Sequence, residues 1–221
     1  MIVVAVIAVI AAVAVPRLLR SRISANETSA VASLKTIASA QQNFRSADTV
    51  DLDKNGSGEF GYLEELAGTK ACRSDNAGTC DGPLCKDAPF IVKTLGSTNA
   101  NGESAKAGYR FLIHLPTGPA GGHHLYPQPV NIALSADSFH AYAFPATAGR
   151  SGRRVFGLAA GTGIFQFGNA GGAYGGTGNG PDWDALLGDN DGNAGITWHD
   201  SVDLGGPGQT GSAGAWTAIG N

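Results

Sequence analysis

Residues 1–22 read MIVVAVIAVIAAVAVPRLLRSR. From Ile2 to Val15 no side chain is polar. Pro16 follows, then Arg17, Arg20 and Arg22. A helix that is apolar on every side must be enclosed by protein or by lipid. A chain of 221 residues offers little protein to enclose it, so shelter is expected from a bilayer or from other copies of the chain. A spanning helix needs roughly 20 apolar residues at about 1.5 Å each, and a run that ends at Val15 falls short of that. An export signal carries its basic residues before the apolar run. Here they come after it.

Beyond the arginines the pattern turns one-sided. Val31, Leu34, Ile37, Ala38 and Phe44 recur at three- and four-residue steps, with Ser, Lys, Asn and Gln between them. That spacing predicts an amphipathic helix. The two parts are expected to form one rod from the start to about Ser46. Pro16 should kink or locally unwind it, because proline lacks an N–H and crowds the preceding turn.

The stretch MIVVAVIAVIAAVAVPRLLRSRISANETSAVASLKTIASAQQNF resembles the N-terminal helix of type IV pilins and of the related type II secretion pseudopilins. The segment ANETSAVASLKTIASAQ is the most similar part. Family members carry, slightly further upstream, an aromatic residue that is N-methylated after leader cleavage, and a glutamate within the apolar run. Here the first acid is Glu27, so the numbering is expected to begin several residues inside the family's segment. YRFLIHLP and AYAFPATAGRSGRRVF resemble the family's head region more weakly. The resemblance implies an α+β fold: a long N-terminal α-helix packed against an antiparallel β-sheet head, here with a Gly-rich C-terminal extension.

Composition fits an extracellular structural protein. Charged residues are 15%, net charge is −3 and the pI is about 5.9; a nucleic-acid partner is not expected from that balance. Cys72, Cys80 and Cys85 fall in CRSDNAGTCDGPLC. Clustering in a polar loop predicts a local disulfide between two of the three in an oxidising compartment, with one thiol left over. Zinc is the rival reading. It needs a fourth ligand, and the nearest histidine is His114.

Four regions follow: a helix at 1–46, a loop-rich stretch at 47–106, a sheet head at 107–167 and a Gly-rich arm at 168–221. Strands are predicted at Tyr109–Leu115, Phe139–Phe144, Arg153–Leu158 and Gly163–Phe167, with Pro116 and Pro145 as stops. The arm holds about half of the 33 glycines and all three tryptophans, Trp183, Trp198 and Trp216. Aromatics are scarce in disordered segments, so the arm is expected to dock them on its own head or a neighbour's.

DLDKNGSGEFGYLEEL opens like a calcium loop. Asp51, Asp53 and Asn55 alternate and Gly56 follows, as an EF-hand-type loop requires. The closing glutamate is missing, because Tyr62 stands in its place. Glu59 or Glu64 would have to substitute, with Ser57 giving its carbonyl. Calcium in such a loop would be structural; an Asx-rich turn uses the same residues without an ion. Asp182, Asp184, Asp189, Asp191 and Asn193 form a second acidic group, expected to be solvated. His123–His124 reads as surface loop. Asn26-Glu27-Thr28 matches a glycan acceptor inside the helix. GTGNG at 176–180 lacks the strand and helix that a nucleotide loop needs, and no catalytic constellation is present.

No enzyme activity is therefore expected. The leading expectation is the structural subunit of a pilus-like extracellular filament. Ile2, Val3, Val4, Val6, Ile7, Val9, Ile10, Val13, Val15 and Pro16 would build its core. Arg17 and Arg20 would sit at the membrane interface before assembly and meet Glu27 of a neighbour afterwards. The partners are copies of the chain, the inner membrane before assembly, and the pilus assembly machinery. A secretion pseudopilin and a membrane-anchored extracellular binding protein or enzyme are the alternatives.

Overall fold

The computed structural model describes residues 2–75, 89–118, 121–169, 171–182, 185 and 216–219. The fold is α+β. Helix α1 runs unbroken over Ile2–Ser46 and is followed by a seven-stranded antiparallel sheet. The backbone stays helical through Pro16 instead of unwinding there. Proline removes one hydrogen bond, and the good helix formers Ala12, Ala14, Leu18 and Leu19 on either side carry the helix across it. α1 ends where Asp48 turns into the left-handed region at φ 47°, a conformation Asp tolerates.

Two short helices, α2 (Leu63–Leu66) and α3 (Lys93–Gly96), and the strand β1 (Ser104–Lys106) occupy the stretch read as loop-rich. Then come β2 (Tyr109–Gly118), β3 (Gly121–His123), α4 (Ile132–Asp137), β4 (His140–Pro145), β5 (Arg154–Ala159), β6 (Ile164–Gly168) and β7 (Thr217–Ala218). The strand order is β1-β2-β4-β5-β6-β7, with β3 paired to β2. All pairings are antiparallel, with Leu112 opposite Tyr142, Ala143 opposite Phe156, and Gly157 opposite Phe165. Pro116 does not stop β2. The ladder to β3 changes register between Pro116 and Gly118, which accommodates the missing N–H.

Both faces of the sheet are covered, and the alternation along β4 shows how. Ala141 and Ala143 belong to the cluster containing Leu34, Ile37 and Phe44 of α1. Small side chains there let the helix lie close. Tyr142 and Phe144 point the other way, into a second cluster with Val155, Phe167 and Trp216. The described part of the Gly-rich arm covers this second face. Trp216 is fully buried, its ring 5.7 Å from Phe167 and 6.2 Å from Tyr142. Its indole donates to the Ala185 carbonyl at 2.6 Å. Gly180 is a necessary glycine: a Cβ there would stand 2.6 Å from Leu112 Cδ2 and 2.8 Å from the Phe144 ring. The arm thus docks Trp216 on its own head and adds β7 to its own sheet. Trp183 and Trp198 lie outside the described residues.

Candidate functional site

Residues 2–22 of α1 bury no side chain against the described residues. Every one is exposed, and each large aliphatic from Ile2 to Leu19 is more than half accessible. Ile23 is the first buried residue of the chain. Leu18 and Leu19 extend the apolar surface past Pro16 and Arg17, which the count ending at Val15 left out. With them α1 is long and apolar enough to cross a membrane. Eleven exposed Ile, Val and Leu side chains in one rod far exceed the scattered apolar residues of an ordinary soluble surface. Withdrawing them from water is worth on the order of 15 kcal/mol per copy.

The rod is rigidly joined to the head. Buried residues of α1 recur as Ala30, Leu34, Ile37, Gln41 and Phe44. The buried Gln41 amide both donates to and accepts from the Gly61 backbone, at 2.8 and 2.9 Å. Glu27 has partners in its own chain. Its Oε2 accepts from Arg154 Nε at 2.8 Å and Nη2 at 2.5 Å, and its Oε1 from the Arg153 N–H at 2.9 Å. The folded head brings Arg154 to Glu27 across the helix–sheet seam. Arg17, Arg20 and Arg22 are exposed and carry no ion pair among the described residues. The Asn26 amide donates to the Ser151 carbonyl at 2.9 Å, which makes the acceptor motif part of the same seam.

The acidic loop leaves the end of α1. It is closed by the Glu59 N–H donating to the Val50 carbonyl at 2.8 Å. Asp51, Asp53 and Glu59 bring one carboxylate oxygen each within 4.8 Å of one another. Asn55 faces inward differently: its side chain bonds Asp53 and the Ser57 N–H, both at 2.7 Å. Asp51 accepts from the Asn55 and Gly56 N–H groups. Glu64 is not brought to this loop. Its buried carboxylate, on α2, takes Thr98 Oγ1 at 2.6 Å and Lys70 Nζ at 3.3 Å. Burial pushes the Glu59 carboxyl above its ordinary range, and Asp53 adds to the rise against the opposing Leu52 N–H.

Cys72 is disulfide-bonded, which removes it as a zinc ligand. Cys80 and Cys85 lie outside the described residues, as do Asp184, Asp189, Asp191 and Asn193. Beside Cys72 stands a buried ion pair that sequence reading missed. Arg73 and Glu65 are both fully buried; Arg73 Nε lies 2.9 Å from the carboxylate. Glu65 also accepts from the Tyr62 and Arg73 N–H groups, and Arg73 Nη2 donates to the Phe60 carbonyl. Burial disfavours the guanidinium charge, but Glu65 more than offsets it and holds Arg73 above its ordinary value. The paired acids Glu64 and Glu65 in GYLEEL and an arginine next to a cysteine were the available signals.

Of the two adjacent histidines, His123 is exposed, on the short strand β3. His124 is only half-exposed, and its ring lies 4.8 Å from that of His114. His114 is fully buried on β2, with Nε2 3.1 Å from the Pro181 carbonyl. Burial, then His124, holds His114 well below its ordinary value, so it is neutral in the fold. Unfolding lets it bind a proton below about 6.5. Stability therefore falls as pH drops from 6.5, by at most about 1.4 kcal/mol per pH unit for one proton. Urea midpoints measured between pH 7 and 5 should show this slope, and His114→Gln should flatten it.

The GTGNG segment is a structural turn. Glu103 Oε1 accepts the Gly178 N–H at 2.8 Å, and Arg110 reaches Thr177 Oγ1 at 2.6 Å. Comparison of the chain with protein-family models, with curated proteins and with solved structures gives no match.

Proposed function

We propose that the chain is the structural subunit of a pilus-like helical filament. The single observation that carries this reading is the bare apolar rod, Ile2–Leu19, which the head does not enclose. The resemblance of residues 1–44 to type IV pilins supports the same reading. Subunits wait in the inner membrane with the rod in lipid. The assembly machinery then draws them out, and the rod passes from lipid to a core of identical rods. Lipid and protein are about equally apolar, so the transfer needs an external motor, while return to water is strongly opposed. Identical contacts at a constant offset do not close, and so build a fibre. The test is electron microscopy of sheared cell surfaces. Fibres whose mass is this chain support the reading. Normal fibres after deletion of residues 2–19 would contradict it.

The loop of Asp51, Asp53 and Glu59 supports a structural calcium ion as part of this proposal. Calcium would supply a positive charge to three converging carboxylates and pin the loop to the end of α1. Backbone carbonyls and water must complete its six to eight oxygens. Glu59 has its folded value raised above 4.5. The folded state therefore holds the extra proton, and stability falls as pH rises through that window. Calcium offsets this loss, and more so at pH 7 than at pH 4. At ten times Kd the gain is about 1.4 kcal/mol, or roughly 3–6 °C in Tm. Differential scanning fluorimetry of the intact chain in detergent, with calcium or with a chelator, reads it. Asp51→Asn with Asp53→Asn should remove the response. A secretion pseudopilus is the second reading, and a calcium-pinned head suits it. Loss of secretion without surface fibres would favour it.

A further inference from the structure

At the neck of the molecule, arginines from distant parts of the chain converge. A cleft of about 280 Å³ lies between α1 and the start of β5, lined by Arg20, Ile23, Ser24, Glu27, Arg153 and Arg154. Three arginines face one carboxylate there. That carboxylate is committed to Arg154 and to the Arg153 N–H, and Arg154 also donates to Gln166. The guanidinium groups of Arg20 and Arg153 make no hydrogen bond or ion pair among the described residues, and both residues are exposed. The Thr147–Gly152 turn, carrying the exposed Arg150, docks beside the cleft through Ser151 and Asn26. The seam is therefore positive, with two guanidinium groups lining the same cleft as the Glu27–Arg154 pair and without a counter-charge among the described residues.

We propose that this cleft binds the phosphate of an anionic lipid headgroup. The inference rests on the reading of Ile2–Leu19 as a membrane-resident helix. Its geometry follows from helix dimensions. From Leu19 to Ile23 the helix rises about 6 Å. The headgroup zone is roughly 5–8 Å deep on each side of the hydrocarbon. With Leu19 at the edge of the hydrocarbon, the cleft lies at the level of the phosphates. Guanidinium forks match phosphate oxygens in pairs, and the apolar floor at Ile23 suits the ester carbons next to them. Such a site would orient the head on the leaflet before the subunit is extracted, and would release its lipid as the rod leaves the membrane.

The test reconstitutes the intact chain into phosphatidylcholine vesicles, alone or mixed with phosphatidylglycerol. Electron spin resonance of spin-labelled lipids then measures how strongly each lipid is held at the protein. An arginine near an anionic surface contributes about fivefold in binding, so Arg20 and Arg153 together should give phosphatidylglycerol an advantage of about thirtyfold. Arg20→Gln with Arg153→Gln should lower the preference about thirtyfold, to what Arg17 and Arg22 confer, and the Lys pair at the same positions should restore most of it. Millimolar inorganic phosphate at constant ionic strength should leave the preference intact. A chain that inserts into both membranes but shows no preference overturns this inference and leaves the membrane reading standing. Preference unchanged in the Gln pair, or abolished by inorganic phosphate, also overturns the lipid assignment. A chain that holds neither lipid overturns both. The urea midpoint of the Gln pair should equal that of the parent, since neither guanidinium bonds the head.

Discussion

If the proposed filament forms, Val9→Asp should abolish it and leave the head folded. Val9 stands in the middle of the bare run and is 66% exposed in the single chain, so the substitution removes no contact within the molecule. In a core of packed rods the carboxylate would be surrounded by apolar side chains of other copies. An ion buried without a partner costs several kcal/mol after relaxation. At 1.4 kcal/mol per tenfold, each intersubunit step weakens by at least about a hundredfold, and a fibre multiplies that penalty at every subunit. Insertion into a bilayer costs about 3 kcal/mol for an acid at a helix centre, once for each chain and not at every subunit contact. The variant should therefore still reach the membrane fraction, while sheared surfaces carry no fibres. Val9→Leu keeps volume and polarity and should assemble normally. Fibre yield by electron microscopy, with the head's urea midpoint as a control, measures both.

Breaking the Glu65–Arg73 pair gives the largest loss of stability in the head. Both groups are fully buried, and each holds several others in place. Removing one partner from such a pair costs about 3–5 kcal/mol, because the other charge is left in the interior. Glu65→Leu should lie at the upper end. It strands the Arg73 charge, whose Nη1 already has no partner among the described residues, and it also orphans the Tyr62 and Arg73 N–H groups. Arg73→Met should lie at the lower end, since two backbone donors still face the carboxylate. Urea denaturation read by the buried Trp216 would report both. A change below about 1 kcal/mol in either variant would show that the pair is not what closes the stretch after α1.

Much of this architecture was readable because it is written in local periodicity. The apolar run, the three- and four-residue steps of α1 and the termination near Ser46 needed no tertiary information. The four main strands fell within a residue of their expected starts, since aromatic and β-branched side chains crowd into them. What escaped was decided by contacts across the chain. Glu27 meets Arg154 at a separation of 127 residues. Trp216 finds Phe167 and Tyr142 only after the arm has folded back over the sheet. β1, β3 and β7 are two or three residues long, too short for any pattern to show. His114 could not be read as buried from YRFLIHL, because its partner in the described part of the arm is a backbone carbonyl 67 residues away. In the acidic loop the sequence offered Glu59 and Glu64 equally. Pairing of the Val50 carbonyl with the Glu59 N–H selects the first.

In the proposed filament the exposed rod is sheltered by sister molecules, and a helical reconstruction of fibres containing this chain tests that most directly. The expected map places Ile2–Leu19 of every subunit at the fibre axis, packed against the same segment of its neighbours, with the sheet and its Gly-rich cover outside. A map with these helices splayed into solvent or folded back on their own heads would contradict it.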